Sequence, residues 1–391
     1  MQNQKFTFVL LFLLGSISIA RSQGIDFDGK SDTSIHDYRI NLFVGVSQGI
    51  NKMELGGFVN IDHKNVKYIQ LAGFANFVGG DVTGIQAAGF VNTAGGAMNG
   101  LQSSGFGNYS GKDSRGIQVS GFFNSTRNMT GIQGAGFVNN ARDMRGIQAA
   151  GFSNHAKSFH GIQAAGFVNG TDSNYRGIQS AGFVNYCGGD FTGLQAAGFI
   201  NYAKTVKRGL QLAVINIADS SNGIPLGVFS YVKNGGYHNV EISSDEIFYT
   251  NIALRTGVRQ LYNILTVGIR PEKDLNPFWT YGYGLGTEFN IAKNLDMNVE
   301  VTSNHINYSG YHPDRYFSEN DKLYAGIDFH ITNHISIAAG PTLNFYIVNL
   351  HDEKLINAFD NIPLPYLYDQ NAGRYHDLKI WVGGKIAIRF N

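Results

Sequence analysis

The sequence predicts an all-β protein in two parts, a short-period repeat array followed by long antiparallel strands. Composition is the first reason: 50 Gly, 28 Phe and 20 Tyr against 7 Pro favour strands and turns over long helices. The second is self-similarity at a step of 15 or 16 residues through the first half of the chain. The third is apolar–polar alternation over long stretches from about residue 245 onward.

Residues 1–22, MQNQKFTFVLLFLLGSISIARS, hold Lys5, an apolar run from Phe6 to Leu14 and the small-x-small ending Ala20-Arg21-Ser22. That run is too short to cross a bilayer as a helix, so it reads as a secretory signal peptide and the mature chain is expected to be exported. No Cys follows the cleavage site, which argues against a lipid anchor there, and no later segment supplies the ~20 apolar residues of a membrane helix. Residues 23–49 read as a leader or cap strand.

The array occupies residues 50–221. The phrase GIQAAGFVN stands at 84–92 and again at 161–169, with near-copies between and around them. Its Phe recurs at 58, 74, 90, 106, 122, 137, 152, 167, 183 and 199, and an Asn follows two residues after each. Gln precedes each Phe by four residues, replaced by Glu54 in the first copy, and Gln211 marks a last, divergent one. Polar, glycine-rich linkers such as TAGGAMN, NARDMR and YCGGDFT read as turns. Within the phrase, a period of two puts Ile85, Ala87, Gly89 and Val91 on one face and Gln86, Ala88, Phe90 and Asn92 on the other.

Two architectures fit one short strand per repeat. In a parallel β-solenoid, identical residues stack ~4.8 Å apart, so that Gln and Asn form amide ladders and Phe forms a stack. In the alternative, each repeat is one antiparallel strand, and repeats and C-terminal strands together form a single large barrel of about 19 strands, an outer-membrane pore or transporter that conducts a solute. Linker lengths do not alternate between short and long, and the Ile/Ala/Gly/Val face is small-sided for a lipid-facing belt, which favours the solenoid. The candidate ladder or binding face comprises Gln86, Phe90, Asn92, Gln148, Phe152, Asn154, Gln163, Phe167 and Asn169. With Phe outward, it would suit a glycan or a protein ligand; a corner near Ala-Gly would instead turn Phe inward.

From residue 222 to 391 the pattern is that of an antiparallel barrel. In the last strand Leu378, Ile380, Val382, Ile386, Ile388 and Phe390 alternate with Lys379, Trp381, Lys385, Ala387 and Arg389. Strands are expected near 247–258, 262–270, 278–291, 295–303, 322–332, 335–347 and 378–391, with Ile224–Val232 completing an even count of eight. Their connections alternate short and long, as in an outer-membrane barrel with short periplasmic turns and long outer loops. With eight strands, both barrel ends lie in the periplasm.

The C-terminal segment, from GIPLGVFSYV to WVGGKIAIRF, resembles the barrel-type region of Bacteroidota outer-membrane proteins. The G-I/L-Q-x-A-G-F-x-N array resembles the bacterial surface-repeat family built on GLQxGxxN units. This resemblance implies a cell-envelope location and a build, without an established activity.

No motif points to chemistry. Gly282, Gly284 and Gly286 in GYGLG lie two apart on a strand opposite Trp279, Tyr281 and Tyr283, with no helix to follow, so they make no phosphate loop. His330 and His334 flank a tight turn, and His312 and Asp314 share a loop, without the three or four convergent ligands of a zinc site. Glu241, Asp245 and Glu246 lack the spacing of a calcium loop. No nucleophile elbow appears, so a non-enzymatic role without metal or cofactor is expected. Cys187, the single cysteine, cannot form an internal disulfide and reads as a small buried residue. A net charge of +1 gives nucleic acid no purchase. Outer-membrane lipid is the expected partner, beside a glycan or protein ligand of the repeats, which would lie in the periplasm or at the cell surface.

Overall fold

The computed structural model describes residues 33–271, 278–308, 317–349, 364–371 and 376–391. The predicted signal peptide, and His312 with Asp314, lie outside these residues. The chain divides into two units, Met1–Ala203 and Lys204–Asn391. It is all-β, with no helix among the described residues: a parallel solenoid of about 12 turns and a closed barrel of eight antiparallel strands.

In the solenoid, like residues of successive coils pair in register. Gln86 lies beside Gln102, Asn92 beside Asn108, and Ile147 beside Ile162. All pairings described in this sheet are parallel, so the repeats are not strands of one large antiparallel barrel. The array also begins earlier than the sequence suggested. Ile35–Asn41 and Val44–Ser47 pair with Gly49–Gly56 and Val59–Asp62, which makes them the first coil.

A representative coil runs from the strand Val82–Ala88 through a bend at Gly89-Phe90 to the short strand Val91–Ala94. The bend therefore falls inside the repeated phrase. Part of the linker sequence that reads as turn is strand instead: NARDMR lies within Val138–Ala150, where Ala141 and Met144 point inward. The phrase can bend at its own Gly because nothing larger fits: a Cβ at Gly151 would lie 2.1 Å from the carbonyl oxygen of Gly136. A second glycine column, Gly84 to Gly209, holds φ between 117° and 141°, where L-residues are strained, and Tyr68 takes that position in an early coil at φ 63°. Inside, Val66, Val82 and Met98 form one apolar column with the Gln and Asn columns beside it.

In the second unit, Ile224–Leu226 pairs parallel with Leu210–Leu212, and Phe229–Asn234 pairs parallel with Ile215–Ser220. The stretch expected to be the eighth barrel strand is thus the last coil of the solenoid. Pro225 stands in the Gln column there and Ser230 in the Asn column, so both ladders end on residues that cannot continue them.

The eighth barrel strand is Tyr237–Asp245. It pairs with Thr250–Val258 on one side and closes on His376–Phe390 on the other. Between them run Leu261–Arg270, Phe278–Ala292, Leu295–Tyr308, Ser318–His330 and Ile335–Asn349, each antiparallel to its neighbours. A short strand, Tyr366–Asn371, extends the sheet beside the last strand. Turns of two to four residues join strands at one end, at 259–260, 293–294 and 331–334. The chain enters and leaves the barrel at that same end. Within this unit the last coil is fastened to the turn end: Asn263 Nδ2 donates to Ser230 Oγ at 2.8 Å, and Tyr283 Oη to the Gly227 carbonyl at 2.7 Å.

Candidate functional site

The Gln and Asn columns are buried completely. Each Gln from Gln86 to Gln195 donates through Nε2 to Oε1 of the Gln one coil earlier, at 2.8–3.0 Å. From Asn41 to Asn185, each Asn donates through Nδ2 to Oδ1 of the next Asn in the column, at 2.7–3.0 Å. The two ladders therefore run in opposite directions. Backbone carbonyls fix these orientations, because Gln86 Nε2 also faces Thr93 O at 3.3 Å and Asn92 Nδ2 faces Ser103 O at 2.6 Å, and a carbonyl can only accept. Opposed amide dipoles cancel along the stack, and the amide protons are spent inside the coil. A buried polar core of neutral groups is tolerable on those terms.

The ladders need ends. The Gln ladder points its donors toward the N-terminal coils, where Gln70 Nε2 gives its protons to Glu54 Oε2 at 2.9 Å and Asp62 Oδ2 at 2.6 Å. Glu54 sits beside buried Arg39 in the same column. Burial, and then the neighbouring Asp62, pushes the Glu54 carboxyl up to about 9, so near neutral pH it is a protonated analogue of the Gln it replaces.

Phe behaves differently from its neighbours in the phrase. The bend at Gly-Phe breaks the strict alternation and turns the ring outward, away from the amides that flank it. Ten Phe side chains from Phe58 to Phe199, each 37–49% exposed, form one stack with centroids 4.8–5.2 Å apart and planes within 17° of parallel. Of the nine candidate face residues, Phe90, Phe152 and Phe167 are thus presented to solvent. Gln86, Gln148, Gln163, Asn92, Asn154 and Asn169 are interior, and no ligand outside the coil can reach them. Ile85, Ile147 and Ile162, assigned by alternation to the opposite face, are exposed too. Cys187 lies within the coil, its thiol pushed up to about 11 by burial.

The barrel interior is filled by charge. Arg255 grips Glu300 through Nε and Nη2 at 2.9 and 3.0 Å and reaches Glu241 at 2.8 Å. Arg389 joins Glu241, Glu300 and Asp328 at 2.8, 3.1 and 3.0 Å, and Lys385 reaches Glu300 at 3.0 Å. Three cations thus meet three carboxylates, with Tyr262 and Asn298 adding hydrogen bonds. Sequence alternation shows these residues on the inward faces but cannot show that distant strands bring them together. Nearer the loop end, Asp245 pairs with Lys322 at 2.6 Å, and Glu246 receives Trp381 Nε1 at 2.8 Å. Gly286 and Gly326 make room for the rings of Tyr262 and Tyr324, which is the use found for one of the GYGLG glycines. His330 pairs with Asp296 at 2.8 Å. Among the described residues, no group of three or more His, Cys, Asp or Glu is placed to hold a metal ion.

The barrel exterior is apolar. Ile242, Ile252, Val267, Val301, Ile327 and Ile386 face outward. Aromatic side chains border them, with Tyr249, Trp279, Tyr281 and Phe317 toward the loop end and Phe289, Phe329 and Phe390 toward the turn end. Compared with protein-family models, curated proteins and solved structures, the chain matches none.

Proposed function

We propose that this chain is an exported outer-membrane protein whose barrel is a non-conducting anchor and whose solenoid is a non-enzymatic structural or binding module. The observation that carries this reading is the inverted barrel, apolar outside and charged inside, with aromatic side chains at both borders. Trp279 and Phe289 lie on one strand ten residues apart. At ~3.4 Å per residue and the usual tilt, that separation corresponds to about 25 Å of height, the thickness of the apolar band of outer-membrane barrels. The filled interior favours an anchor over a pore, as expected for eight strands. The resemblance to Bacteroidota surface-repeat proteins points to the same location. On this topology the turn end, where the chain enters and leaves the barrel, is periplasmic.

Because Gln and Asn are interior, the solenoid's outward stripe offers Phe, Ile and Ala with few hydrogen-bonding groups. That composition favours an apolar protein contact over a glycan. The test is to fractionate cells and compare gel migration of the purified protein with and without boiling, then record planar-bilayer currents. A membrane-bound, heat-modifiable protein without open-channel steps is expected. Recovery of the mature chain in the soluble periplasmic fraction would overturn the reading.

A further inference from the structure

Between the Ile column and the Phe column of the first unit runs an uncharged strip. In nine successive copies, from residues 69–74 to 194–199, the window Ile/Leu-Gln-x-x-Gly-Phe contains no Asp, Glu, Lys or Arg. Charge is plentiful just upstream, at Asp113, Arg115, Arg142, Asp143, Arg145 and Arg176, so this neutrality is local to the strip. The strip also has relief. The Phe stack forms a ridge, and beside it lies a shallow groove of about 730 Å³ floored by small residues, including Ala149, Ala150, Gly151, Ala164, Ala165 and Gly166.

We infer that this strip is an interface between two copies of the chain, packed with their solenoids parallel and each Phe ridge seated in the other's Ala/Gly groove. Symmetry makes the surface self-complementary. Ridge and groove run side by side over the coils from Gly134 to Gly182, with one rung spacing. A two-fold rotation about a line parallel to them, and lying between them, places each ridge over the partner's groove. A two-fold axis across the strip would set ridge against ridge instead.

The size is sufficient. The nine rings of the strip, Phe74 to Phe199, at 4.8–5.2 Å span roughly 40 Å. The five residue steps from Ile147 to Phe152 span about 16 Å, giving roughly 650 Å² before side-chain relief is counted. A standard stable interface covers about 800 Å² per partner. A large exposed apolar strip of this kind is characteristic of a docking surface. Sugars would need hydrogen-bonding groups beside the rings, and the four serines of the strip, Ser103, Ser104, Ser120 and Ser180, supply few. Fluid acyl chains would gain nothing from a ridge and a groove that match each other.

The experiment uses the full chain in mild detergent, with particle mass measured by sedimentation equilibrium. It does not depend on the barrel's being in a membrane. Wild type is expected to hold two chains per particle. Ala149→Leu with Ala164→Leu fills the groove while keeping the strip apolar, and it is expected to give one chain per particle, with circular dichroism unchanged because both positions face outward. A monomeric wild type overturns the inference, as does a groove-filled variant that stays dimeric. A fluorophore on Ala149→Cys tests the lipid alternative in vesicles, since buried Cys187 does not compete for the label. Quenching by brominated acyl chains would assign the strip to the membrane and overturn the inference as well.

Discussion

Inside the array, Gln148 leans on Gln133 and carries Gln163, one hydrogen bond each way. Inside the barrel, Glu300 receives Arg255, Arg389, Lys385 and Tyr262 together. Both interiors are polar and both exteriors carry exposed apolar side chains, yet the polar groups are satisfied by different rules. The ladder is neutral and translational, so each rung sees the same surroundings and the column fits any number of coils. The charge cluster is finite and closed, and each member is defined by several strands at once. Stability should accordingly be local and additive in the solenoid and shared around the ring in the barrel.

The largest effect is expected where that sharing is broken. Glu300→Ala removes a carboxylate gripped by two guanidiniums and an ammonium, leaving buried positive charge with too few partners. A loss of about 3–5 kcal/mol is expected, read from urea unfolding in lipid or detergent. In the ladder, Gln148→Ala strands the Gln133 oxygen and a Gln163 proton and opens a small void, for about 3 kcal/mol. The locality should also differ. Hydrogen exchange should quicken in the coils adjoining Gln148 and stay unchanged in the barrel, whereas Glu300→Ala should loosen strands all around it. A Gln148→Ala change that loosened distant coils equally would refute additive stacking.

The ladder's end gives a smaller, pH-dependent effect. An unfolded Glu titrates near 4.5, and folded Glu54 is raised to about 9. Between those values the folded chain holds one more proton than the unfolded chain, so stability falls as pH rises, by up to ~1.4 kcal/mol per unit. Glu54→Gln keeps the rung and has no proton to lose. Melting temperatures from pH 5 to 9 should decline in wild type and flatten in the variant, with Asp62 and Arg39 left in place. Equal slopes in the two proteins would mean that Glu54 is not the group that titrates.

Much of this was legible in the sequence, for a physical reason that differs between the two regions. Repetition exposed the solenoid, because stacked coils oblige like residues to recur. Alternation exposed seven barrel strands and their inward charges, because a strand has period two. What escaped depended on bends and distant contacts. Alternation grouped Phe152 with Gln148 and Asn154, and a corner at Gly151 that no periodic count reveals separated them. Ile224–Val232 alternates well enough for a barrel strand, but its pairing with residues 210–220 is a property of the stack before it. The strand that closes the ring, Tyr237–Asp245, lies between the stretches expected as strands, Ile224–Val232 and 247–258, and was assigned no strand. Of the candidate face, the recurrence identified the columns but not which of them faces water.

The smallest expected effect is the sharpest test of translational stacking. Deleting residues 147–161 joins Gly146 to Ile162, and since Gly146 already lies beside Gly161 and Ile147 beside Ile162, the coil on one side of the cut fits the coil on the other. Gln148 and Asn154 leave together, so Gln163 meets Gln133 and Asn139 meets Asn169 with ladder directions preserved. The Phe stack loses one ring and closes in the same way. One repeat's share of stability is lost and no buried group is orphaned, so the deletion should fold, remain heat-modifiable through its intact barrel, and melt only slightly below wild type. Removing a single residue, Ala150, should do far more harm, because it shifts the rungs that follow out of register within that coil. If the fifteen-residue deletion proved the worse of the two, the coils could not be interchangeable units.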